Sequence, residues 1–135
     1  WPNCAIPMSL VLDAGALIAL ERNDRRMWAR LDAAADASLE VVVPSGALAQ
    51  VWRGTPNQAR LSQALKQTHL GEFDTIARAA GELCHANTSD PIDAAVVLNA
   101  MGTTSVIITS DPKDIRKLVR TLPKEVGATI TILPV

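Results

Sequence analysis

Aspartates stand at the ends of predicted strands and at the starts of predicted helices, where they could bind a metal ion. Asp13 directly follows the apolar run SLVL, and Asp111 follows the run SVIIT by one residue. More acids belong to a near-repeat, in which residues 88–93 read TSDPID and residues 109–114 read TSDPKD. Carboxylates in one crevice bind Mg²⁺ or Mn²⁺, which activates water and stabilises charge on phosphate oxygens. The pattern predicts phosphodiester cleavage, with Asp13, Asp93 and Asp111 as metal ligands.

The near-repeat also fits a purely structural role in helix capping. Asp is a strong N-cap, Pro suits the first helical position, and a carboxylate in the first turn complements the helix dipole. Two features favour a functional site instead. One copy directly follows a strand, and Asp93 begins the very apolar helix PIDAAVVLNAM, so its carboxylate is predicted to face an interior cleft.

Strands that alternate with helices would position these acids. The predicted strands cover residues 9–12, 40–43, 105–109 and 129–133. The predicted helices cover residues 14–21, 24–37, 46–53, 58–67, 74–86, 91–101 and 112–120, with a loop at 87–89. Continuous apolarity in the strands indicates an α/β domain, a mostly parallel sheet with helices on both faces. Ligands bind outside the carboxyl ends of such strands, so Asp13 and Asp111 would share a crevice if their strands are adjacent.

The composition limits the classes of core and partner. Nearly half of the 135 residues are apolar, but there is one Phe and no Tyr, so the core of the single predicted domain must be aliphatic. A net charge of -1 argues against a general polyanion-binding surface. Any contact with nucleic acid must therefore come from a local basic patch, for which Arg53 and Arg22 are the candidates.

The cysteines and the N-terminus bear on the compartment. Cys4 and Cys84 form no CxxC pair, which argues against zinc and suggests a reducing, cytoplasmic setting. No apolar run approaches the roughly 20 residues of a membrane span, and no secretion signal begins the sequence. Residues 1–7, which precede Met8, read as vector-derived sequence, so residues 8–135 are predicted to form the domain.

Four segments in order carry a family resemblance. The segments LVLDAGALIAL, VVVPSGALAQVWRG, TSDPIDAAVVLNA and VIITSDPKDI resemble those of PIN-domain ribonucleases, and within them the VapC-type toxins of bacterial toxin–antitoxin pairs. The resemblance runs from Leu10 to Leu133. It implies a three-layer PIN-like fold, Mg²⁺- or Mn²⁺-dependent endonuclease action on RNA, a homodimer, and a VapB-type antitoxin that inserts into the active-site groove. It places the metal-binding acids on Asp13, Asp93 and Asp111.

The sequence departs from the family pattern at two positions. Gln50 stands where many PIN domains carry a Glu, although its carbonyl oxygen can still orient a metal-bound water. We expect Asp90, one helical turn from Asp93, to restore the number of catalytic acids, with Asp114 as a further accessory acid. Gly15 stands where many relatives have Ser or Asn, which removes one possible hydrogen bond to the site.

Two alternatives remain open. A haloacid-dehalogenase phosphatase or a receiver-like phosphotransfer domain also places an Asp after its first strand, but the phosphatases need a second Asp where Gly15 stands, and Lys113 is a poor match to the receiver lysine. A non-catalytic PIN-like binding module would keep the fold and the partner contacts but lose the metal through Gln50.

Overall fold

Short, mostly aliphatic runs form the strands of the protein. The structure is a computed structural model, and it describes residues 8–85 and 90–135. In chain order the elements are β1 (Ser9–Leu12), α1 (Ala14–Glu21), α2 (Arg25–Asp36), β2 (Glu40–Pro44), α3 (Ser45–Val51), a 3-10 turn (Pro56–Gln58), α4 (Ala59–Leu65), β3 (His69–Gly71), α5 (Ala77–His85), α6 (Pro91–Asn99), β4 (Ser105–Thr109), α7 (Pro112–Val119), α8 (Lys124–Gly127) and β5 (Ile130–Pro134). The segment predicted to be vector-derived, residues 1–7, and the predicted loop at 87–89 lie outside the described residues.

The strands form one five-stranded sheet in the order β3-β2-β1-β4-β5. All four pairings are parallel, and β1 lies at the centre between β2 and β4. Leu12, the last residue of β1, pairs with Ile108 in β4. The carboxyl ends of β1 and β4 are therefore side by side, which is the condition for Asp13 and Asp111 to meet.

Alternate residues of the strands face two separate layers of helices. Leu10 and Leu12 pack in a cluster with apolar residues of α1, α2, α3 and α4. Val11 and Ile107 pack in a second cluster with residues of α6 and α7. Because each fully buried aliphatic side chain stabilises the fold by about 1.5–3 kcal/mol, both layers hold the sheet firmly. The predicted α/β architecture with helices on both faces is confirmed.

The structure contains three elements that the sequence did not predict: β3, α8 and the 3-10 turn Pro56–Gln58. The strand β3 is a short edge strand of three residues, with His69 and Leu70 exposed, so it lacks the apolar pattern of a buried strand. The helix α8 is a single turn. In addition, α5 begins at Ala77 rather than at residue 74. None of the helices in the described ranges combines the length and the apolarity that crossing a bilayer requires.

Candidate active site

Asp13 is fixed at the junction of β1 and α1. Its Oδ1 accepts hydrogen bonds from the backbone N–H groups of Gly15 (2.9 Å) and Ala16 (3.3 Å), so it caps α1. Burial raises the pKa of Asp13 above its usual value, while hydrogen bonds from the Thr109 side chain and from backbone N–H groups, including that of Ser110, act in the opposite direction. The carboxylate is thus buried and held in one orientation.

Asp93 lies in the first turn of α6 and is half-buried. Burial, followed by repulsion from the carboxylates of Asp90, Asp111, Asp114 and Asp13, raises its pKa to about 6. Every charge that acts on this pKa is negative. Four other carboxylates therefore repel the carboxylate of Asp93, and no cation of the described residues offsets their effect on its pKa.

The two copies of the near-repeat differ in how they use their first acid. Asp90 caps α6, since its Oδ1 accepts a hydrogen bond of 2.7 Å from the backbone N–H of Ile92. Asp111 occupies the N-cap position of α7 but its side chain makes no capping bond. Instead a hydrogen bond to the Asp114 side chain raises the pKa of Asp111. Asp90 therefore caps its helix, whereas Asp111 pairs with the Asp114 side chain and is also affected by the Asp114 backbone N–H, which lowers its pKa.

A cavity of about 160 Å³ brings the predicted acids together at the carboxyl edge of the sheet. It is lined by Asp13, Ala14, Gly15, Ala47, Gln50, Ile92, Asp93, Val96, Ser110 and Asp111. We call it the acid cavity. The three acids predicted as metal ligands and the accessory Gln50 all line it. Asp90 and Asp114 do not, and act on it through their charge.

The donor set of the acid cavity is that of a hard divalent cation. Within residues 8–85 and 90–135, no three His, Cys, Asp or Glu side chains are close enough to form a ready-made coordination sphere. Mg²⁺ does not require one, because it keeps several waters and binds to proteins through one or two carboxylates together with substrate phosphates. Oxygen donors whose negative charge is uncompensated therefore fit a hydrated Mg²⁺ or Mn²⁺.

Comparison with solved structures places this geometry in a known fold. The chain is similar to a chain in the crystal structure of VapBC2 from Rickettsia felis bound to a DNA fragment from their promoter, with a TM-score of 0.67 and 15% sequence identity over 95% of this chain and 99% of that chain. The two chains share a fold. No family model and no curated protein sequence matches the chain. The VapBC2-like fold agrees with the architecture that the four sequence segments predict.

Two hydroxyl residues of the site were missed by the sequence reasoning. Thr109 is fully buried at the end of β4, where its side chain bonds Asp13 and its Oγ1 accepts a hydrogen bond of 2.9 Å from the backbone N–H of Asp111. Thr109 thus joins the two strand-end acids. Ser110 lines the acid cavity beside them. Their position in the TSDPKD segment was the available signal, but the prediction assigned roles only to the aspartates of that segment.

The close approach of Ser110 explains why position 15 is a glycine in this chain. A Cβ atom at position 15 would collide with the side chain of Ser110 and would lie 2.9 Å from its backbone nitrogen. The hydroxyl that Gly15 cannot supply is thus present on Ser110, in the same space. An acidic side chain at position 15, as the phosphatase alternative requires, has no room there.

We expect the Gly15→Ala substitution to destabilise the protein by about 1–3 kcal/mol, because the added methyl group overpacks this contact. Urea denaturation would measure the loss. Gly81→Ala is the matched control, since a Cβ at that exposed helical position meets nothing within 4 Å and Ala favours the helix. Adding Ser110→Gly to Gly15→Ala should recover part of the loss. Equal stabilities of the two Gly→Ala variants would contradict the steric explanation.

The predicted RNA-contacting residues Arg22 and Arg53 do not line the acid cavity. Both line a neighbouring cavity, and Gln50 belongs to the lining of both cavities. The guanidinium group of Arg53 donates hydrogen bonds to the carbonyl groups of Ala49, Gln50 and Trp52, near the end of α3. Arg53 is therefore held in place by the backbone.

Proposed function

We propose that the chain is a metal-dependent endoribonuclease of the VapC type, the toxin of a toxin–antitoxin pair. The observation that carries the proposal is the convergence of Asp13, Asp93 and Asp111 on one cavity at the carboxyl edge of a parallel sheet. The VapBC2-like fold supports the choice of VapC-type proteins over other α/β classes. The resemblance of the sequence to PIN-domain ribonucleases supports RNA as the substrate.

The residues of the acid cavity have distinct tasks in this proposal. When bound, Mg²⁺ or Mn²⁺ supplies water activation and neutralises charge on the phosphate. Asp13, Asp93 and Asp111 would hold the ion together with its bound waters. Thr109 keeps Asp13 and the backbone of Asp111 in fixed relation. Asp90 and Asp114 are accessory acids that strengthen the negative field on Asp93.

The proposal includes the partners that the family resemblance implies. They are a VapB-type antitoxin and a second copy of the chain in a homodimer, in the cytoplasm. The solved neighbour is a VapBC2 complex, which supports an antitoxin partner for this chain. Growth arrest on expression, relieved by co-expression of an antitoxin, is the expected behaviour in cells.

The deciding experiment is RNA cleavage by the purified chain in Mg²⁺, in Mn²⁺ and in EDTA, with the ends of the products mapped. We expect discrete cleavage in both metals and none in EDTA. Cleavage that continues unchanged in EDTA would overturn the metal-dependent mechanism. An absence of cleavage in either metal would favour the non-catalytic binding module.

A Gln50→Glu variant tests whether the missing acid limits activity. Gln50 lines the acid cavity, so a carboxylate there adds one cation–anion interaction. We expect half-maximal cleavage at about 3- to 10-fold lower Mg²⁺ concentration. This is the change expected from one additional, partly screened cation–anion interaction. Gln63→Glu is the matched control, because Gln63 is also an exposed helical residue but lies on α4 away from the cavity. An unchanged Mg²⁺ requirement would show that position 50 does not reach the metal.

A further inference from the structure

A second cavity opens next to the acid cavity, between the ends of α1 and α3. It has a volume of about 360 Å³, and its polar lining includes Glu21, Arg22, Arg53, Thr55, Asn57 and Gln58. We call it the arginine cavity. Gln50 lines both cavities, so a bound chain could pass directly from one to the other. The volume is within the range of small-molecule sites in proteins.

A buried glutamine builds the wall of the arginine cavity. Gln58 is only 4% exposed, and all of its polar atoms are bonded. Its Nε2 donates to Glu21 Oε1 (2.6 Å) and to the carbonyl oxygen of Val51 (2.8 Å). Its Oε1 accepts from the backbone N–H groups of Arg53 (2.8 Å) and Gly54 (3.1 Å). Gln58 therefore ties α1, α3 and the following loop into one fixed wall.

The charges of the arginine cavity suit an anion. The lining carries two guanidinium groups against one carboxylate, that of Glu21, which accepts a short hydrogen bond from the neutral Gln58 amide. The Arg53 guanidinium bonds only neutral carbonyl groups in the contacts described above, so its charge is positioned but not neutralised by them. Arg22 is exposed at the C-cap of α1. The side chains of Thr55 and Asn57 add polar groups that can bond the edge of a base.

We propose that the arginine cavity is the subsite for the nucleotide next to the scissile phosphate of a single-stranded RNA. The inference rests on the proposed function, because the acid cavity then holds the scissile phosphate. The neighbouring phosphate binds Arg22 and Arg53, and its base lies against Thr55 and Asn57. An acidic peptide is a weaker candidate. Where it extends beyond Gln50 it would be repelled by the carboxylates of the acid cavity, and it carries no phosphate group to bind the metal.

Binding of a fluorescein-labelled RNA octamer of mixed sequence tests the subsite. Fluorescence anisotropy at several salt concentrations measures the Kd in the Asp13→Asn, Asp93→Asn background, which suppresses cleavage and removes two of the carboxylates that repel RNA in the absence of metal. We expect Arg22→Gln to weaken binding and to reduce the slope of log K against log salt by about 0.7, the loss of one phosphate contact on a single strand. Arg120→Gln is the matched control, because Arg120 is also exposed and is the C-cap residue of α7, outside this cavity.

Three outcomes would overturn the subsite. One is an unchanged Kd and salt slope in Arg22→Gln. Another is an equal loss in Arg120→Gln, which would indicate a general charge effect. The third is equal competition by an octaglutamate peptide, which would assign the cavity to an acidic peptide. Failure of the nuclease proposal looks different, since a chain that never cleaves RNA can still give these binding results.

Discussion

Replacing Asp93 by Asn is expected to lower metal-dependent RNA cleavage by about 100-fold or more, because a bound metal contributes several kcal/mol to the transition state. The same substitution should stabilise the folded protein at neutral pH. In the folded state the pKa of Asp93 is about 6, against an ordinary 3.8, so ionisation of this group opposes folding. Cleavage assays and urea denaturation of the same preparation would measure both effects.

The stability effect of Asp93→Asn has a defined pH window. Ionisation of Asp93 does not reduce the stability of the folded state below the ordinary pKa of 3.8. It reduces that stability by the full amount above about pH 6. Asn should therefore be neutral near pH 4 and stabilising by about 1 kcal/mol near pH 7.5, a value reduced by the partial exposure of the side chain.

Asp24→Asn is the control for Asp93→Asn, because Asp24 caps α2 through a bond to the Met27 N–H and Asn caps equally well. It should change neither cleavage nor stability. Full cleavage by Asp93→Asn would remove this acid from the catalytic set. Loss of stability at neutral pH would instead contradict the electrostatic picture of the acid cavity.

Millimolar Mg²⁺ or Mn²⁺ is expected to raise the Tm of the protein by about 3 °C or more near pH 7.5, because a ligand that binds only the folded state stabilises it. The cation would offset the burial and the repulsion between carboxylates that together raise the pKa of Asp93. The increase should diminish near pH 4, well below the pKa of about 6 of Asp93, where this ligand is protonated. Differential scanning fluorimetry over a metal titration would measure it.

The metal effect needs two controls. NaCl at equal ionic strength separates binding from general screening. The double variant Asp13→Asn with Asp93→Asn should show no increase in Tm with metal, while Asp24→Asn should keep the full increase. An increase of equal size in the double variant would place the metal outside the acid cavity.

The sequence predicted those features that depend on strand ends and burial. Asp13 and Asp111 follow apolar strands, and parallel sheets bring such ends together. Asp93 followed from the apolar character of its helix. The edge strand β3 was missed because its exposed residues His69 and Leu70 carry no apolar pattern.

The sequence could not distinguish the roles of the first acids in the two copies of the near-repeat. The same motif places Asp90 as a helix cap and places Asp111 in a hydrogen bond with Asp114. That difference depends on the path of the backbone between the end of β4 and the start of α7. Thr109 was missed for a similar reason, since only the pairing of β1 with β4 brings it to Asp13.

The contact between Gly15 and Ser110 limits how this site can evolve. The two positions share space for a single side chain, because a Cβ at one would overlap the side chain of the other. A lineage that moves the hydroxyl from position 110 to position 15 loses less stability if the side chain at 110 is removed first. The order of the two substitutions therefore matters, and a serine at position 15 costs less stability in a chain that has already lost the one at 110.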